Sequence, residues 1–149
     1  MGGEATNQAP RNTAELNAGR LVEVRVEAGF RTPEEVDATF ARIEEVVARL
    51  PQGVQFVTIV DWRRSSLMSP EAAAHTVERI IGLQHRSQRS AVVVSPEMAS
   101  VVLQFGRVVR DTVNPARRMC LDAAEAITWL DEVLSLEERA RLRWFLERP

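Results

Sequence analysis

Three times in this chain a short apolar stretch gives way to a hydroxyl residue, a proline and a glutamate: Thr32-Pro33-Glu34, Ser69-Pro70-Glu71 and Ser95-Pro96-Glu97. A Ser or Thr hydroxyl accepts from the free amides of a helix's first turn, and proline at the first helical position gives up no hydrogen bond. Each triplet therefore predicts the start of a helix. Two further starts, Asp122-Ala123-Ala124-Glu125 and Ser135-Leu136-Glu137-Glu138, have the spacing of a capping box. A chain punctuated in this way alternates strands with helices.

The stretches between the caps supply the strands. Residues 13–16 predict a short one, turning through Asn17-Ala18-Gly19 into residues 20–28. There Val22, Val24 and Val26 alternate with Glu23, Arg25 and Glu27, the period of a strand with one wet face. After Thr32, Val36, Phe40, Ile43, Val47 and Leu50 form one helical stripe that stops at Pro51-Gln52-Gly53. Residues 54–61 are apolar on nearly every position, which predicts a central strand covered on both sides. A loop over 62–68 leads to a helix carrying Val77, Ile80 and Ile81. Residues 90–95 predict the next strand, and Met98, Val101, Val102, Phe105, Val108 and Val109 a helix starting at Ser95-Pro96-Glu97 and broken at Asn114-Pro115. Residues 117–121 are the last predicted strand, before helices capped by Asp122 and Ser135.

This order, β-β-α-β-α-β-α-β-α-α, predicts a single-domain α/β fold with a mainly parallel sheet of four to five strands. The first strand is expected to be antiparallel at an edge. Residues 1–12 are expected to be a flexible tail, 13–134 the domain, and 135–149 an added amphipathic helix.

Composition excludes several classes. The chain has 149 residues, 45% hydrophobic and 27% charged, enough for a core without staples. Cys120 is the sole cysteine, so no disulfide forms within the chain. Apolar runs fall far short of the roughly 20 residues that span a bilayer. The polar N-terminus has no export pattern, and a cytoplasmic protein is expected. Nineteen basic residues, all arginine, face 21 acidic ones interleaved with them, so no single-signed nucleic-acid footprint stands out. The absence of lysine has two readings: coding bias in a GC-rich bacterial genome, or arginine selected for bidentate anion contacts.

The strand ending in Val60-Asp61-Trp62, the helix start Ser69-Pro70-Glu71-Ala72, and the closing segment from Arg118 through Asp122-Ala123-Ala124-Glu125-Ala126 to Trp129-Leu130 together resemble the STAS fold of anti-sigma-factor antagonists. The likeness is to its SpoIIAA-like branch, also described as STAS/SEC14-like, over residues 13–134. The resemblance implies a non-enzymatic bacterial regulator working through a protein partner, and no cofactor is expected. Its SEC14-like side implies an alternative, a binding module for a small apolar or lipid-like ligand. In that case a pocket would be lined by residues such as Phe40, Phe56, Val102 and Phe105. The family phosphorylates a serine at the helix start, but Pro70 stands at that place here, and the usual switch does not carry over. Ser65 and Ser66, beside Arg63 and Arg64, are the remaining phosphate acceptors of that loop.

The expected interaction surface is accordingly Asp61, Trp62, Arg63, Arg64, Ser65, Ser66 and Ser69. Trp62 reads either as an interface anchor or as an aromatic packed beneath its loop. The last helix offers a second surface, because Leu142 and Trp144 point about 160° apart, so that Leu142, Trp144 and Phe145 cannot all face one side. One side is expected to pack on the domain, and the other to cover a homodimer partner or a groove in the body of the protein. His75 and His85, ten residues apart, cannot share a metal along one helix, and no metal site is predicted. Cys120 reads as a small buried hydrophobe. Asp61 and Asp122, at the carboxyl ends of strands, stand as an acid–base pair only if their capping and loop roles leave them free.

Overall fold

The structure, a computed structural model, describes residues 11–147. Most of the expected tail, and Arg148, lie outside the described residues. The elements follow the expected order: β1 (Asn12–Ala18), β2 (Leu21–Val26), α1 (Pro33–Val47), β3 (Phe56–Asp61), α2 (Pro70–Leu83), β4 (Ser87–Val93), α3 (Ala99–Asp111), β5 (Arg117–Cys120), α4 (Ala123–Asp131) and α5 (Leu136–Glu147). One 3-10 turn, Gln84–Arg86, joins α2 to β4.

The five strands lie side by side in chain order, β1 antiparallel to β2 and the remainder parallel. Crossovers of one hand between successive neighbours put every connecting helix on the same side. Accordingly α1, α2 and α3 cover one face, over Val22, Val24, Val26, Phe56 and Val92. The chain then runs on from β5, and α4 and α5 cover the opposite face, over Leu21, Val57, Ile59, Ala91 and Val93. The near-continuous apolar sequence of β3 follows from this double coverage.

Capping chemistry explains the boundaries. The Thr32 hydroxyl accepts from the Glu35 amide at 3.2 Å, Ser69 from Ala72 at 3.0 Å, and Asp122 from Glu125 at 2.8 Å. Ser135 and Glu138 bond reciprocally, at 3.2 and 2.9 Å. The third proline triplet departs from expectation. The Ser95 hydroxyl donates to the Glu97 carboxylate at 2.7 Å instead of accepting from an amide, so 95–98 form a turn and α3 begins at Ala99.

Several strand boundaries move as well: β1 runs on through Asn17 and Ala18, which were expected to turn, β2 spans Leu21–Val26, and β3 starts at Phe56. β4 begins at Ser87, ahead of the apolar run, because Ser87 and Arg89 pair with Phe56 and Val57. Asn12, assigned to the tail, starts β1, and its side chain accepts from the Glu27 and Ala28 amides and donates to the Gly29 carbonyl.

Nor is α5 an appendage. Leu142, Phe145 and Leu146 are buried against the sheet. The buried Glu23 carboxylate receives Arg141 at 2.6 and 3.0 Å, and Glu138 accepts from the Arg20 amide at 2.8 Å. That last bond needs the hairpin turn to come close. Gly19 sits at φ +53°, and a Cβ there would land on the Glu138 carboxylate.

Candidate functional site

The segment expected to form an interaction surface is split by the strand alternation. Asp61 ends β3 facing α5, and Trp62, next in line, faces α3. Trp62 is 1% exposed, with ring centroids 5.2 Å from Phe30 and 4.8 Å from Phe105, both edge-to-face, and its indole N–H donates to the Ser66 carbonyl at 3.1 Å. It is a core residue and not an interface anchor. Ser65 is equally closed off, its hydroxyl donating to the Val26 carbonyl at 2.7 Å, which leaves no accessible oxygen for phosphate. Ser69 is occupied as the α2 cap.

Asp61 is committed to two arginines. Arg25 donates to it at 2.8 Å, and Arg63 at 2.9 and 3.1 Å from the side chain and 3.1 Å from the backbone. Burial pushes this carboxyl up, but the Arg63 hydrogen bonds and the two positive charges prevail and hold it below the usual aspartate range. The same guanidiniums reach onward, Arg25 to the Phe145 carbonyl at 3.0 Å and Arg63 to that of Leu146 at 2.8 Å. They satisfy carbonyls left open at the end of α5, where positive charge is favoured. The loop and the last helix, expected as separate docking surfaces, therefore bind one another. Of the last-helix residues, Leu142 and Phe145 belong to the core, and Trp144 is at the surface, stacked under Arg141 at 3.9 Å. Arg64 and Ser66, with Leu67 at 48% exposure, form what remains of the outer loop surface.

The other chemical candidates are engaged as well. Burial first, then Glu125, push the Cys120 thiol up to about 11, with Arg118 opposing. Asp122 accepts at the α4 cap. His75 sits 2.7 Å from Asp37 and 3.4 Å from Glu78 on the α2 surface. Among the described residues no three His, Cys, Asp or Glu groups gather closely enough for a metal ion, and no helix is long and apolar enough to cross a membrane.

The feature with room for chemistry lies under α1, α2 and α3. A cavity of about 110 Å³ separates these helices from the sheet. Its walls include Val24, Phe40, Ile43, Phe56, Phe105 and Val108, so three of the four residues expected around a pocket line it; Val102 does not. Its inner end is closed by the buried Phe30 and Trp62. At the other end the lining residues Leu83, Gln84, Ser87, Val109 and Arg117 keep partial exposure, so the cavity approaches the surface at the amino-terminal edge of the parallel strands.

Across the cavity floor runs a polar row. Thr58 of β3 pairs with Ser90 of β4, and Ser90 with Arg117 of β5, and all three line the space. The sequence marked Arg117 only as the start of the last predicted strand. The Arg117-Arg118 doublet in a strand held the signal, since adjacent side chains take opposite faces. Arg118 stacks on Trp129 at 4.1 Å on the α4 side, and Arg117 is left facing the cavity.

This placement differs from the expected one at Asp61 and Asp122. Ligands collect at carboxyl ends where strand order reverses and opens a crevice, and a sheet wound in strict chain order has no such reversal. Comparison with protein families, curated proteins and solved structures finds no match to this chain.

Proposed function

We propose that this α/β domain is a non-enzymatic binding module for a small, mainly apolar ligand held between the sheet and helices α1–α3. The observation that carries this reading is the cavity itself. Native interiors pack to crystal-like density, and a void of about 110 Å³ bounded by six or more large apolar side chains departs from that norm. An engineered apolar cavity of roughly 150 Å³ elsewhere holds a benzene ring, so the space here suits a body of about six non-hydrogen atoms. The SEC14-like side of the sequence resemblance agrees with such use. Asp61, Asp122 and Cys120, the groups available for acid–base or thiol chemistry, are all engaged in the scaffold, which supports binding over catalysis.

Titration with benzene, followed through side-chain methyl signals, tests this. Saturable shifts are expected for Val24, Ile43 and Val108 around the cavity, with Val57, Ile59 and Leu142 on the opposite face unmoved. Uniform or absent shifts would contradict the reading.

A second reading, regulatory contact with a protein partner of the kind STAS-like domains make, rests on the loop tip, where Leu67 is half exposed beside Arg64 and Ser66. The double variant Arg64→Ala/Leu67→Ala leaves the core intact and tests it. Loss of a stoichiometric partner with unchanged thermal stability is the expected result, and an unchanged partner set would remove the reading.

A further inference from the structure

Arg117 is the unusual member of the cavity wall. It opens β5 and faces a space otherwise lined almost wholly by carbon. Its one side-chain hydrogen bond among the described residues is to the Ser90 hydroxyl, at 3.1 Å, and its Nε is buried with no partner. Arg86 Nε shares that condition but lies off the cavity. Most of this chain's inward-reaching arginines are answered by carboxylates: Arg25 and Arg63 by Asp61, Arg141 by Glu23, Arg89 by Glu132. Arg117 has no ion pair among the described residues, and burial alone lowers its pKa to about 10, so the guanidinium stays charged at neutral pH. Arg117 is only partly exposed, and a charge drawn this far out of water gains from an opposite charge beside it.

We infer that the ligand is a small monocarboxylate whose apolar body fills the cavity while its carboxylate pairs with Arg117, beside the hydroxyl of Ser90. This rests on the cavity being a binding site and adds the ligand's charge and orientation. Guanidinium and carboxylate match as planar two-pronged partners. The hydroxyls of Thr58 and Ser90, next along the same row, offer further polar contact without adding negative charge. A ligand entering apolar end first from the half-exposed edge would extend toward Phe105 and Trp62 and leave its carboxylate at Arg117.

The test compares benzoate, its neutral near-isostere benzamide, and benzene on the wild-type chain and on Arg117→Gln. Benzoate is expected to bind wild type about tenfold or more tightly than benzamide, since the charge-assisted contact is made by one and not the other. Arg117→Gln should abolish that preference, benzoate then binding no more tightly than benzamide. Equal binding of benzoate and benzamide to wild type, or a preference that survives Arg117→Gln, would overturn the carboxylate assignment while benzene binding upheld the cavity. Failure of all three compounds would overturn both. If Arg117→Gln does not fold, the wild-type comparison decides alone, because it needs no variant.

Discussion

Arg63 donates from Nη2 to the carbonyl of Leu146 at 2.8 Å, a contact made across 83 residues of chain. The same nitrogen bonds Asp61 Oδ2 at 3.1 Å, so the end of the central strand is tied directly to the end of the last helix. The arrangement predicts that Arg63→Ala frays α5 from its C-terminus. Amide exchange over residues 142–147 should accelerate well beyond that of α2, with a loss of about 1.5–3 kcal/mol in stability, the range for hydrogen bonds to charged groups. Unchanged protection in α5 would show that Arg25 alone suffices.

Trp62 presents a contrasting case, because its ring is surrounded by core and its one polar atom is satisfied. Trp62→Ala should cost about 3–5 kcal/mol in denaturant unfolding, the range for a large aromatic removed from a core. Trp62→Phe keeps most of the packing and should cost less. A Trp62→Ala chain as stable as wild type would return the residue to the surface.

Two ionic groups give opposite pH dependences. Asp61 titrates below the usual aspartate value of about 4 in the folded state. Its contribution is therefore complete above that value and is lost as pH falls through the folded pKa. His75 is raised above 6.5, first by its hydrogen bond to Asp37, against desolvation and with Glu78 assisting. Its contribution is complete below 6.5 and is lost as pH rises through the folded pKa. In a proton-monitored titration Asp37→Asn should move the His75 midpoint down, and an unmoved midpoint would show that the pair does not form in solution.

Cys120 lies in the sheet with its thiol pushed up to about 11, mainly by burial. At pH 8 a thiol-specific reagent should label the native chain far more slowly than the chain in denaturant. Equal labelling rates would mean that β5 opens readily.

The element order was legible because most strand-to-helix joints are local: a cap, followed by a proline at α1 and α2, and a stripe lie within a few residues of one another. What escaped depended on contacts far apart in the chain. The polar run Ser87-Gln88-Arg89 resembles a loop in isolation. It is held as strand partly because Arg89 stacks on Trp129 at 3.9 Å and bonds the Trp129 carbonyl and the Glu132 carboxylate. Ser65 looks like an accessible hydroxyl until the Val26 carbonyl, 39 residues away, accepts its hydrogen bond.

The site was harder to read for a related reason. Trp62 continues the alternation of Phe56, Thr58 and Val60, so its burial was available to a reading that carried the strand one residue past Asp61. For Arg117, alternation gives a face but not the space it meets. That space exists because three helices from separate parts of the chain stand over it without filling it.

The most direct measurement of the account is a set of intermolecular nuclear Overhauser contacts from the ring protons of bound benzoate. Contacts to Val24, Ile43, Phe105 and Val108 are predicted, with the backbone amides around Ser90 and Arg117 shifting most at the carboxylate end. Contacts confined to surface residues such as Leu67, Leu103 or Leu136, or none at saturating benzoate, would contradict it.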